Sequence, residues 1–319
     1  MDQNIEKVAT RKAFGQALAH LGDKYKQIVA LDADLSCSVK TNVFAAEYPE
    51  REFNLGVAEA DMIGTAAGMA VRGKIPFACS FAVFSTGRCW EQIRNSVCYP
   101  NLNVKVIGTH AGILTGEDGA THQALEDIAI TRVLPNMKVF CPADYRETVS
   151  VMEKVVEDFG PTYIRLGRKG VPKLYPDSYN FEIGKGNVLK QGHDLTIIAT
   201  GTLVSSAYFA ALELEKEGIS CRVINLCSIK PIDEQIIIDA AKETKMIVTA
   251  EDHNVIGGLG SAVCEVLCTT GYFKKVYRIG MQDKFGESGK SEELYKKYGF
   301  DVPGVVKQVN EFWKDFNGR

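Results

Sequence analysis

The first half of the chain alternates short apolar runs with longer segments whose apolar residues recur at helical spacing. Over residues 10–23, Phe14, Leu18 and Leu21 share one helical face. Residues 28–31 are an unbroken apolar, β-branched run, the pattern of a strand buried on both faces. The same reading predicts strands over 76–80, 104–109, 138–141 and 162–165. It predicts helices over 58–72, 88–98, 123–133 and 144–158. Strands alternating with helices imply an α/β fold with a doubly wound, mostly parallel sheet.

Residues 166–190 break this rhythm with Pro172, Pro176 and several glycines, a linker composition. The alternation then restarts with strands over 195–200, 221–225, 246–250 and 276–279 and helices over 203–217, 232–242 and 258–269. A last helix is expected over 305–316, after Pro303 and Gly304. The expected organisation is a first domain over residues 1–170, a linker over 171–190 and a smaller α/β domain over 191–319. At about 150 residues per domain, 319 residues suit two.

Composition narrows the function classes. Lys and Arg total 37 and Asp and Glu 40, a net charge of −3, which argues against nucleic acid or an anionic membrane as the main partner. With 45% hydrophobic and 24% charged residues, wholesale disorder is excluded. The nine cysteines contain no CxxC pair, and Cys264 and Cys268 lack neighbours at metal-ligand spacing, so free thiols in a reducing compartment are expected. The N-terminal stretch MDQNIEKVATRKAFG is too polar for a signal peptide. No apolar stretch reaches the ~18–20 residues of a membrane span. The expectation is a cytoplasmic protein.

Four segments could carry chemistry. Gly56-Val57-Ala58-Glu59-Ala60-Asp61-Met62 opens a helix rich in small residues, and a first-turn acid there is either favoured by the helix dipole or functional. Thr109-His110-Ala111-Gly112, at a strand end, leads into Gly116-Glu117-Asp118-Gly119-Ala120-Thr121-His122-Gln123. Ligands bind at strand ends in open α/β sheets, and glycines let backbone approach them. Alternatively, Thr121 caps a helix beginning near Gln123. Asp32-Ala33-Asp34-Leu35-Ser36-Cys37-Ser38 also follows a strand. Its two acids weakly suggest Mg²⁺, Ser36 or Ser38 suits a helix cap, and Ser38 with nearby N–H groups suits a phosphate. Phe81 and Phe84 are either core residues or a wall for a flat ring. Arg165 and Arg168 offer guanidinium groups for phosphate.

In order, A-D-L-S-x-S, G-V-A-E-x-D-M, S-F-x-x-F, T-H-A-G and G-E-D-G-A-T-H-Q resemble the second half of transketolase, the pyrimidine-binding domain followed by the C-terminal domain. The resemblance spans essentially the whole chain, whose length matches the C-terminal subunit of split, two-gene transketolases. It implies a thiamine diphosphate cofactor. Glu59 would contact the aminopyrimidine N1′, favouring the imino tautomer whose nitrogen takes the thiazolium C2 proton, with the cofactor then acting as electron sink. Phe81 and Phe84 would form the aromatic wall, and Asp34 would be a cofactor-side aspartate. His110 and His122 would orient the ketose and assist proton transfer. Asp118 would read a sugar hydroxyl. Ser38 and Arg168 would hold the distal phosphate, with Arg165 as the alternative register.

The family's GDG motif, with an Asn roughly 25–30 residues later, is absent, so the diphosphate and Mg²⁺ half of the site is missing. Ala120 stands where transketolases commonly carry Pro. The resemblance therefore implies a separate N-terminal subunit carrying the GDG…N site, in an α2β2 heterotetramer acting on sugar phosphates of the pentose phosphate pathway. Three rivals share much of this pattern. The β subunit of a 2-oxo-acid dehydrogenase would leave Asp118 and His122 without partners on its short substrate. Half of a 1-deoxyxylulose-5-phosphate synthase is expected to carry Asp-Arg in place of His110-Ala111. A non-catalytic homologue is expected to lose one of the site residues, all of which are retained here.

Overall fold

The computed structural model describes residues 6–318, so the first five residues of the polar N-terminal stretch lie outside it. The first half supplies β1 (Lys7–Ala9), β2 (Ile28–Asp32), β3 (Glu52–Asn54), β4 (Ile75–Phe81), β5 (Lys105–Thr109), β6 (Lys138–Phe140), β7 (Thr162–Arg165) and β8 (Gly170–Pro172). The second supplies β9 (Asn187–Lys190), β10 (Leu195–Ala199), β11 (Cys221–Asn225), β12 (Ser228–Lys230), β13 (Met246–Asn254) and β14 (Val276–Met281). The first sheet runs β12-β6-β7-β5-β4-β2-β3 and the second β14-β13-β10-β11-β9. β12 and β9 are the antiparallel members. The other strands of these two sheets pair in parallel, as expected of the α/β class, and β1 and β8 form a separate antiparallel pair.

β2, β5, β7 and β10 are buried along their whole length, because helices cover both faces of each sheet. β5 nevertheless begins with Lys105. Its Nζ donates to the carbonyls of Asp158 at 2.8 Å and Gly160 at 2.9 Å, and burial lowers its pKa to about 7.

Several local expectations are corrected. The helix expected over 88–98 starts earlier and is wound mostly in wide π turns, Val83–Arg88 and Ile93–Cys98, around a short α segment, Trp90–Gln92. The helix expected from Gln123 begins at Asp127, and Thr121 caps nothing: its Oγ1 bonds His122 Nδ1 at 2.8 Å. Neither Ser36 nor Ser38 caps a helix. Asp32, fully buried, accepts instead from Leu35 N and Thr41 Oγ1, which removes it from any metal role. β13 runs past its expected end at residue 250 and takes in Glu251-Asp252-His253, and a helix Ser291–Tyr298 follows β14 without a forewarning in the pattern.

The segment 171–190 is ordered rather than a free tether. β8 pairs with β1, Phe181 is buried in the first core, and Asp144 accepts from Leu174 N and Tyr175 N. The second half also reaches back: β12 hydrogen-bonds β6 and extends the first sheet. All nine cysteines are free, and none of the helices described is long and apolar enough to cross a membrane.

Candidate functional site

The carboxyl ends of β2, β4 and β5 and the first turn of the helix Thr10–Lys24 converge on one region. β4 ends at Phe81, and the π-wound segment after it carries Phe84 and Arg88. β5 ends at Thr109, so His110 is the first residue beyond the sheet. Its φ is 56°, a left-handed conformation a non-glycine residue adopts at a cost, and one that clusters at functional sites. Asp34, two residues past β2, has a φ of 59°.

The aromatic groups meet there. His110 stacks on Phe81 with ring centroids 3.8 Å apart, Phe84 lies parallel to Phe81 at 5.9 Å, and His122 sets its edge against Phe84 at 5.2 Å. Glu59, in the first turn of the helix Glu59–Val71, is only 4% exposed. Both its carboxylate oxygens accept from Arg88 Nη1, at 3.0 and 3.1 Å, and the guanidinium carbon of Arg88 sits 4.2 Å from the Phe84 centroid.

His110 is held neutral. Arg11 Nη1 lies 3.2 Å from Nε2, and a guanidinium can only donate, so Nε2 accepts and Nδ1–H faces Thr109 Oγ1 at 2.9 Å. Burial, then the cations Arg11 and Arg168, with His122 and Lys40 adding less, push the imidazole pKa down to about 3. Arg11 also donates to the backbone carbonyl of Ser38. Arg168 donates to Thr115 O and, at 3.3 Å, to the Asp118 carboxylate. Ser38, His110, Asp118 and Arg168 therefore lie together with Arg11 and Lys40. This collection of positive charge is suited to an anion.

Arg165 is a correction. It is 6% exposed, and its guanidinium is spent on Asp127 at 2.8 Å and on the carbonyls of Ala124 and Asp252, facing the second domain. Its Nε and Nη2 are thereby taken by partners within the chain. The glycines of the Thr109–Gly112 and Gly116–Gln123 motifs also serve differently from expectation. A Cβ on Gly112, at φ +77°, would meet the Asp252 carboxylate at 2.2 Å, and one on Gly119 would meet Ser288 Oγ at 2.3 Å. Their freedom lets the loop press against the second domain. There Asp252 accepts from Ile113 N, Ser291 Oγ donates to Leu114 O, and Gln123 Nε2 donates to Glu287 O. Asp34 stays exposed and pairs with Asn54 across to β3.

Arg11, Lys40 and Arg88 were missed from the sequence. Arg11 meets His110 across 99 positions, so no local motif could signal it. Arg88 lies four residues after Phe84, a spacing that sets both side chains on one helical face and could have signalled it.

A flat heterocycle fits the space now held by the Arg88 guanidinium, stacked on Phe84 with an edge N–H toward Glu59. The pyrimidine end of thiamine diphosphate has this shape. A metal does not fit: among the described residues no group of three or more His, Cys, Asp or Glu side chains could hold one.

Fold and candidate site together are those of an α/β protein of the cofactor-dependent enzyme class. The transketolase pyrimidine-binding domain family matches residues 6–173, and the transketolase C-terminal domain family matches residues 184–305. A protein of Methanocaldococcus jannaschii, provisionally named a transketolase C-terminal section, is 52% identical over 95% of this chain and 96% of its own. An apulose-4-phosphate transketolase subunit of Phocaeicola vulgatus is 40% identical over 96% of this chain and 98% of its own. A solved split-gene transketolase, an inactive β4 tetramer, superposes with a TM-score of 0.88 at 52% identity, covering 95% of this chain and 98% of that one. The chain belongs to the transketolase family and corresponds to its C-terminal part.

Proposed function

We propose that this chain is the C-terminal subunit of a thiamine diphosphate-dependent transketolase, moving a two-carbon ketol unit from a ketose phosphate to an aldose phosphate. The observation that carries the reading is the buried Glu59 carboxylate beside Phe84, within one aromatic cluster with His110 and His122. We further propose domains over 1–170 and 191–319 joined by 171–190, and a cytoplasmic setting in the pentose phosphate pathway.

When bound, the cofactor supplies a carbon nucleophile and an electron sink. Glu59 holds or releases a proton at the ring nitrogen N1′. Phe81 and Phe84 stack the ring and exclude water from it, and Asp34 lies on the cofactor side. When Arg11 turns to the substrate phosphate, Nε2 of neutral His110 is freed to accept from a sugar hydroxyl, and His122 lines the same pocket. Asp118 accepts from a further hydroxyl. Ser38, Arg168 and Arg11 take the distal phosphate.

The lack of a GDG…N motif in this sequence supports a separate N-terminal subunit that would hold the diphosphate and Mg²⁺, in an α2β2 assembly. A tagged chain, pulled down from its host lysate and assayed with xylulose 5-phosphate and ribose 5-phosphate, tests this. The expected result is a stoichiometric companion carrying that motif, with ketol transfer by the pair alone. A lipoyl-bearing acyltransferase in the complex would move the reading to a 2-oxo-acid dehydrogenase. Turnover by the isolated chain would overturn the two-subunit site.

A further inference from the structure

We propose that Arg88 is a placeholder in the pyrimidine seat, occupying Glu59 and the face of Phe84 until the cofactor's ring displaces it. The inference rests on reading Glu59 and Phe84 as that seat.

The two partners of this ion pair are unequally fixed. The Glu59 side chain is 4% exposed, and the Arg88 side chain is 53% exposed. The carboxylate cannot move to water, but the guanidinium can. A buried carboxylate with no donor is costly, so the seat needs a donor whenever no ligand is present. Arg88 provides it, with Nη1 bonded to both oxygens of Glu59.

The guanidinium also imitates the shape of what belongs there. It is planar and delocalised, with N–H donors in its plane and a cationic face that stacks on aromatic rings. Its carbon lies 4.2 Å from the Phe84 centroid, a stacking distance. In its N1′-protonated or imino form an aminopyrimidine makes the same two contacts, an N1′–H to the carboxylate and a face against the phenyl ring. Arg88 and the ring cannot both hold Phe84 and Glu59. Residues 84 and 88 lie four apart within the helical segment Val83–Arg88, which sets their side chains on one face. Binding therefore exchanges one donor for another at Glu59 and sends the Arg88 side chain to solvent. The cofactor's affinity is lowered by what the Arg88 contacts contribute.

The test titrates thiamine diphosphate, with excess Mg²⁺, into the complex of this chain and its companion subunit, followed by isothermal calorimetry. Arg88→Ala is expected to tighten binding about tenfold, the size of one charge-assisted contact at a half-exposed site. Arg88→Lys keeps a cation for Glu59 but loses the planar face, and should tighten binding by a smaller factor. It also serves as the test if circular dichroism shows that Arg88→Ala fails to fold. Unchanged or weaker binding in the variants, against a wild-type complex that binds, would overturn the placeholder alone. A wild-type complex that takes up no thiamine diphosphate would overturn the transketolase reading and this inference with it.

Discussion

The two domains treat buried charge in opposite ways. On the second domain's inner face two buried acids are answered. Glu251 accepts from Leu259 N and Gly260 N at a helix start, Asp252 accepts from Ile113 N and Tyr295 Oη, and both acids are buried. Where the first sheet meets it, Arg165 and Tyr163 both bond Asp127. At the carboxyl end of the first sheet, by contrast, Arg11 and Arg168 crowd one neutral imidazole and repel each other, and Arg11 Nε has no partner among the described residues. Charges matched within the chain hold the scaffold. An excess of positive charge beside a neutral imidazole suits an anion, the ligand proposed for it.

This contrast can be broken at either end. The largest effect is expected at Glu59: Glu59→Gln should lower ketol transfer in the two-subunit complex by about 10²–10⁴-fold, the usual reach of one proton-handling group. Circular dichroism should show the fold unchanged, and near wild-type turnover would refute the role of Glu59. On the scaffold side, Asp127→Ala leaves the Arg165 guanidinium buried without its counter-charge. The expected loss is about 3–5 kcal/mol in urea unfolding.

Arg11→Ala should raise KM for a phosphorylated donor by about 10- to 100-fold, corresponding to ~1.5–3 kcal/mol for hydrogen bonds to a charged group. KM for an unphosphorylated ketose should barely move, which separates anion recognition from general damage.

At neutral pH the smallest effect is at His110, whose contribution shows only as pH dependence. The native His110 pKa, about 3, lies below the 6.5 of the unfolded chain. Between these values the unfolded state holds a proton that the native state lacks, so stability is full above about pH 6.5 and falls as pH drops through the window. His110→Gln should flatten that part of the acid limb. A titration of the His110 ring near pH 6, seen by NMR, would contradict the neutral imidazole.

The sequence made the sheet strands legible because burial on both faces writes continuous apolar runs, as in Ile28–Asp32 and Leu195–Ala199. It also made legible Glu59, the two phenylalanines and the two histidines, which sit in local motifs. It misled where a long-range contact decides the outcome. Arg165 looked like a phosphate ligand because its partners, Asp127 and Asp252, lie 38 and 87 positions away. The motif glycines suggested a ligand contact, but the crowding they relieve comes from Asp252 and Ser288 of the other domain. The helix around Trp90 was misplaced because π winding leaves no 3.6-residue signature to read.

The pairing of β12 with β6 bears on how such a chain can be divided in evolution. Members of this family are found both as one long polypeptide and as separate halves, so their genes tolerate fission. Within this half the same event is obstructed. Severing it in the 171–190 segment would strip the outermost strand from the first sheet and expose β6 as a bare edge, an invitation to aggregation. The smallest heritable piece is therefore both domains together, stitched by three residues that one contributes to the other.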